Sequence, residues 1–268
     1  MWGGLAASAP IGDFYGSGNT PYAYSNVCNS DYIEADPTCF AELTRLFPLI
    51  EDLKTSSNGL KLLSSAFRTC QPLSSEQDVD DLVDVLDGIL STLPMLDYPY
   101  PTNYGLQLPA WPVNTTCSIL TSFHNLSSNA TFLEAVSAAM AEVVWNITGN
   151  ATCFNVTSND VNAFNIWDYL ACTEFIPPSA ENGLFPHTTW NLTEYVAYCN
   201  DTFGVMSDIS WEQNTYAGWN ISDVGIQRII FSNGLLDPWH SGMVFFHAYV
   251  YICTYDALNL RGKTLPIP

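Results

Sequence analysis

Arg228-Ile229-Ile230-Phe231-Ser232-Asn233-Gly234-Leu235-Leu236-Asp237-Pro238-Trp239-His240 is the stretch whose reading decides the fold. Ile229, Ile230 and Phe231 form a short β-branched and aromatic run, the pattern of a buried strand. Ser232-Asn233-Gly234 tolerates tight-turn dihedrals and is expected to end that strand. Asp237 then follows on a loop stiffened by Pro238 and backed by Trp239. A carboxylate held this way beyond a strand is placed to orient a catalytic histidine. The plainer reading, a strand, a turn and a solvated Asp, fits the same residues, and this stretch alone leaves both open.

Outward from it, Gly4 to Pro10 reads as a small-residue strand, and Gly12 to Asn26 as loop. Ser8 does not stand in a G-x-S-x-G elbow, so it is not taken as a nucleophile. From Asp36 to Arg68 the apolar spacing predicts two short helices, with Pro37 at a helix start and Asn58-Gly59 as the break. The clearest helix covers 75–93, where Val79, Leu82, Val83, Leu86, Ile89, Leu90 and Leu93 recur at three- and four-residue spacing. Ser75 and Asp78 resemble a capping box at its start. Glu76, Asp78, Asp80, Asp81, Asp84 and Asp87 cover the other side and are read as a solvated face. Asp97 to Pro112 is aromatic, proline-rich and loop-like, and further helices are expected at 129–146, 160–174 and 189–203. A strand, some 200 residues of helix and loop, then a strand, is the pattern of a helical insertion between two strands of one sheet.

Composition excludes several partners. The 268 residues carry 27 acidic and 7 basic side chains, a net charge of −20, and no Lys or Arg lies between Arg68 and Arg228. Nucleic acid and anionic membrane surfaces both need a basic face, so neither is an expected partner. Protonation of carboxylates in an acidic compartment would relieve the self-repulsion. No run approaches the ~18 apolar residues of a membrane span. The eight cysteines, at 28, 39, 70, 117, 153, 172, 199 and 253, form no C-x-x-C pair, which favours disulfides over a metal site. Nine Asn-x-Ser/Thr sequons begin at Asn114, Asn125, Asn129, Asn146, Asn150, Asn155, Asn191, Asn200 and Asn220, and mark candidate glycosylation sites on the surface. Met1 to Pro10 does not read as a signal peptide. Secretory-pathway marks without an entry signal suggest a piece of a longer protein.

Five segments in order carry a specific resemblance. They are Gly4-Leu5-Ala6-Ala7-Ser8-Ala9-Pro10-Ile11, Leu96-Asp97-Tyr98-Pro99-Tyr100-Pro101, Leu108-Pro109-Ala110-Trp111-Pro112, Ala171-Cys172-Thr173-Glu174 and Phe231 to Trp239. Together they make the chain similar to the proline-specific serine exopeptidases. The resemblance implies an α/β fold: a partial α/β-hydrolase core with a large helical, disulfide-linked cap insertion. On that reading, residues 1–14 are a core strand, 15–225 the cap, 226–242 a core strand with the acid loop, and 243–268 a divergent tail. It implies that Asp237 is the triad acid, and that cleavage occurs beside proline in peptide substrates. Tyr98, Tyr100, Trp111 and Trp239 are candidates for the substrate pocket. It pairs Cys39 with Cys117, Cys70 with Cys153, and Cys172 with Cys199. Cys28 has no counterpart, because its expected partner falls near Ser179; it is free, or pairs irregularly with Cys253.

The resemblance calls for no cofactor and no metal, places the full-length protein in the lysosome or outside the cell, and admits a homodimer. It also implies a nucleophilic Ser and a general-base His that these residues do not supply. His124 and His187 fall in the cap, His240 reads as a loop residue, and His247 lies in an apolar stretch. The chain is therefore expected to be inactive by itself, a fragment or an incomplete gene model of a Ser-Asp-His carboxypeptidase or dipeptidyl peptidase. The alternative is a non-catalytic glycoprotein that binds peptides.

Overall fold

A computed structural model describes residues 4–7, 16, 18–103, 107–144, 153–156, 166–216, 229–242 and 253–255. The described structure is mostly helical. In chain order it comprises β1 (Gly4–Ala7), α1 (Ala23–Ala35), α2 (Pro37–Leu43), α3 (Leu46–Lys54), α4 (Ser57–Phe67) and α5 (Glu76–Met95). Then come β2 (Thr102–Asn103), β3 (Gln107–Leu108), α6 (Pro112–Ser122), α7 (Asn129–Val144), α8 (Ile166–Thr173), α9 (Leu192–Phe203), α10 (Trp211–Tyr216), β4 (Ile229–Gly234) and β5 (Cys253–Tyr255). The chain divides into two compact units. A sheet unit holds Met1–Tyr24, Asn165–Ser179 and Thr189–Pro268, and a helical unit holds Ser25–Phe164 and Ala180–Thr188.

In the helical unit, α5 begins as its sequence predicts. Ser75 Oγ accepts from Asp78 N at 3.2 Å, and Asp78 Oδ2 accepts from Ser75 N at 3.0 Å, so both orphan amides are satisfied. Val79, Leu82, Leu86, Leu90 and Leu93 are buried on the opposite face. Helices α3 and α6 pack against α5, and α7 packs against α4 and α6. Leu46, Ile50, Leu63, Leu120, Phe132, Leu133 and Val136 are fully buried in this unit. Disulfides Cys39–Cys117 and Cys70–Cys153 close it, and Cys172–Cys199 joins α8 to α9 in the sheet unit. These are the pairs implied by the resemblance. Cys28 is free and buried, and donates weakly to Ser91 O at 3.8 Å.

Several local expectations are corrected. Residues 23–26 begin α1 and are not loop. Residues 37–67 form three helices, not two, and Asn58-Gly59 lies in the first turn of α4 instead of breaking a helix. Gly59 is needed there because a Cβ would overlap the Leu53 carbonyl where α4 follows closely on α3. Pro112, expected as the end of a loop, starts α6, whose remaining residues to Ser122 had no expected structure. The acid row on α5 is not solvated throughout. Lys54 Nζ meets Asp80 at 2.5 Å, and Asp87 is half-buried, with its Oδ1 closed off from solvent.

The sheet of the sheet unit runs β1-β4-β5, parallel throughout. Gly4 to Ala7 pair with Ile229 to Ser232, and Ser232 to Gly234 pair with Cys253 to Tyr255. Ser232-Asn233-Gly234, expected as the turn, therefore continues the strand. A second neighbour takes up its backbone groups where the first leaves off. Residues 8–15, 145–152, 157–165 and 217–228 lie outside the described residues, as do 243–252, which include His247, and 256–268.

Candidate active site around Asp237

Asp237 follows the C-terminal end of β4, the middle strand of the sheet. Its own N–H donates to Gly234 O at 3.2 Å, closing a tight turn off the strand. Asp237 Oδ1 then accepts from Trp239 N at 3.1 Å. Such an Asx-type bond fixes the carboxylate against the backbone two residues on. Asp237 O accepts from His240 N at 2.8 Å, and Ser241 Oγ donates to Pro238 O at 2.9 Å, within the short 3-10 helix Pro238–Gly242. Asn19 Nδ2 ties that turn down by donating to Ser241 O at 3.2 Å. The loop is therefore held by main-chain bonds and by buried Pro238, and its acid is preorganised.

His240 Nδ1 sits 2.8 Å from Asp237 O, so its ring is engaged by the backbone of the turn. That is the loop role its sequence position suggests. His124 and His187 are exposed residues of the helical unit. Asn233, just before the turn, is 4% exposed, and its Nδ2 has no hydrogen-bond partner among the described residues.

Trp239 is framed by aromatic rings. Tyr24 lies edge-on at 5.2 Å and Trp167 at 6.1 Å, and Trp167 in turn meets Phe175 at 5.0 Å. Edge-to-face rings at such spacings hold one another in place. Trp167 nevertheless remains 53% exposed. Tyr24 and Trp167 were not legible as site residues, because each is distant in sequence from Trp239 and no local pattern links them.

The other aromatic candidates belong to the helical unit. Tyr98 and Tyr100 stack at 5.6 Å and are exposed, and Trp111 N donates to Tyr98 O at 2.8 Å. The structure thus brings these three together. Asp97 anchors their loop by accepting from Val113 N at 3.0 Å in the first turn of α6. Burial pushes the Asp97 carboxyl up to about 6 despite that bond. Of the sequon asparagines, Asn125, Asn129, Asn155, Asn191 and Asn200 are exposed and Asn114 is half-buried. Asn146, Asn150 and Asn220 lie outside the described residues. Among the described residues no group of three or more His, Cys, Asp or Glu is placed to hold a metal ion, and no helix is long and apolar enough to cross a membrane.

Over residues 1–254 the sequence matches the family model for serine carboxypeptidase S28. The chain belongs to the serine carboxypeptidase S28 family. Within it, the chain is 34% identical over 248 residues to the lysosomal Pro-X carboxypeptidase of Bos taurus, covering 90% of this chain and 48% of that protein. The Homo sapiens lysosomal Pro-X carboxypeptidase gives the same identity and coverage. Prolyl carboxy peptidase like protein 5 of Caenorhabditis elegans is 24% identical over 261 residues, covering 90% of this chain and 50% of that protein. This S28 chain therefore spans about half the length of the relatives it matches.

Proposed function

We propose that this chain carries the acid and the aromatic surroundings of a serine carboxypeptidase that removes the residue following proline at a peptide C-terminus. The observation that carries the reading is the Asp237 carboxylate, fixed by Trp239 N beyond the end of the central parallel strand. The parallel order β1-β4-β5 supports an α/β-hydrolase core, with the helical unit as most of its cap. In that chemistry a Ser Oγ attacks the scissile carbonyl while a His takes its proton. The His then protonates the departing amine, and water hydrolyses the acyl-enzyme by the reverse relay. Asp237 orients the imidazole and stabilises the imidazolium.

Trp239, flanked by Tyr24 and Trp167, supplies a flat apolar wall suited to a proline ring. The similarity to proteins named Pro-X carboxypeptidase supports this branch over a dipeptidyl peptidase, and their lysosomal name supports a vesicular location. The exposed sequons favour a glycosylated surface.

The 268 residues contain no G-x-S-x-G elbow, so the nucleophile is not supplied by such a motif here. A fluorescent fluorophosphonate is expected to leave these 268 residues unlabelled. A stoichiometric covalent adduct on this chain would overturn the assignment of its residues to acid and cap alone.

A further inference from the structure

Asn191 is the N-cap of α9 and opens the sequon Asn191-Leu192-Thr193. Its Oδ1 accepts from Thr193 N at 2.8 Å and from Glu194 N at 3.3 Å. The side-chain oxygen is thus fixed by orphan amides of the helix, and the carboxamide nitrogen is turned away from them at an exposed position. A group attached to that nitrogen leaves the cap intact and inherits its direction.

Aromatic rings flank the cap. Trp190 at N′ and Tyr195 at N4 meet at 6.1 Å, the arrangement of a hydrophobic staple. Tyr198 follows Tyr195 at 6.4 Å, and Asn191, Tyr195 and Tyr198 share one face of α9 by their spacing of four and three. The Cys172–Cys199 disulfide holds the neighbouring side of the helix to α8. Trp190 and Tyr195 are half-buried and Tyr198 is 44% exposed, so the strip begins beside the sequon nitrogen and keeps part of its surface in solvent. The staple accounts for the first ring pair and leaves that outward surface uncovered. In a β-linked N-acetylglucosamine the ring substituents are equatorial and the axial C–H bonds form an apolar face. The negative face of an aromatic ring attracts such C–H bonds.

We propose that Asn191 carries an N-linked glycan whose first N-acetylglucosamine seats on the Trp190–Tyr195–Tyr198 strip and becomes part of the N-terminal end of α9. In the transfer, Asn191 Nδ2 bonds to the anomeric carbon of an oligosaccharide carried on a lipid pyrophosphate. The bond from that carbon to the pyrophosphate oxygen breaks, the electron pair leaves with the lipid pyrophosphate, and the amide gives up one proton. Because the cap bonds already hold the carboxamide, seating the sugar gives up little further freedom. The inference rests on the vesicular location proposed above, where such a transfer occurs.

Mass spectrometry of peptides from the full-length protein, made in glycosylating cells, reads occupancy at Asn125, Asn129, Asn191 and Asn200 together. Asn191 is expected to be occupied. Occupied sequons elsewhere with Asn191 bare would overturn this inference alone, whereas no occupied sequon at all would overturn the vesicular reading with it. Hydrogen–deuterium exchange of α9, with α7 as reference, reads the seat. Thr193→Ala removes the sequon and keeps the cap and the rings, and it should speed exchange on the order of fivefold, the equivalent of one aromatic contact. Alanine by itself favours helix, so propensity works against that sign. In a Tyr195→Leu/Tyr198→Leu background, which keeps apolar bulk without the tyrosine faces, Thr193→Ala should add less than about twofold. Unchanged exchange in Thr193→Ala, or an equal acceleration in the leucine background, would overturn the seat. If the leucine variant does not fold, the comparison of parent and Thr193→Ala decides.

Discussion

Asp237 owes its placement to bonds that any folded copy of this loop must make: Gly234 O, Trp239 N and the 3-10 turn hold it from both sides. If it is the triad acid, Asp237→Asn in the full-length protein should lower kcat on the order of 10⁴-fold, because the amide favours the wrong imidazole tautomer. KM for a peptide ending in Pro-X should change little, and steady-state kinetics separates the two. A drop confined to KM would argue for a binding role instead. Asp97 carries a different prediction at the same scale. Its carboxyl, raised by burial to about 6, stabilises the fold fully only in acid, and that contribution fades as pH rises through about 6. Asp97→Asn should therefore flatten the pH dependence of the melting temperature between about pH 4 and pH 7. The carboxylate beyond a strand was legible in the sequence from Ile229 to Asp237. Its aromatic frame was not, since Tyr24, Trp167 and Trp239 meet only after folding.

Elements with a strong apolar period were legible, and those held by polar contacts were not. Helix α5 shows both its buried leucines and its capping box in the sequence. Ser75→Ala should cost about 1 kcal/mol in urea denaturation, with Asp78 also losing its reciprocal role. Helix α1 escaped because it buries Ser25, Asn29 and Asp31 along with Cys28 and Tyr32. Its docking surface is a set of hydrogen bonds, including Tyr32 Oη to Leu90 O at 3.1 Å, so no apolar stripe announces it. Asp87 misled in another way. It continues the acid row of α5 in sequence, yet its Oδ1 is shut off from solvent and burial raises its carboxyl to about 6. Strand β4 ran longer than its apolar core because β5 supplies a partner for Ser232 to Gly234.

At the scale of the molecule, the disulfides bear on the helical unit most directly. Cys39 and Cys117 are 78 residues apart. Replacing both by Ser should lower stability by about 4 kcal/mol in the loop-entropy account, read as a shift in the denaturation midpoint. A loss near zero would mean that the unfolded chain keeps these helices together without the bond. The net charge of −20 adds a general repulsion that acid relieves, in the same direction as the raised Asp97 carboxyl. The sequence by itself determined the membership in a peptidase family, the long helical stretch between two strands, the α5 helix and the acid beyond β4. Each of these is a local pattern of apolar spacing, turn chemistry or motif, written in neighbouring residues. Only the tertiary structure decided that α1 is a helix, which rings surround Trp239, where β4 ends, and that Ala180–Thr188 docks on Ser25 and Asn29 of α1. Those depend on groups far apart in the chain, whose hydrogen bonds and burial exist only once the chain has folded.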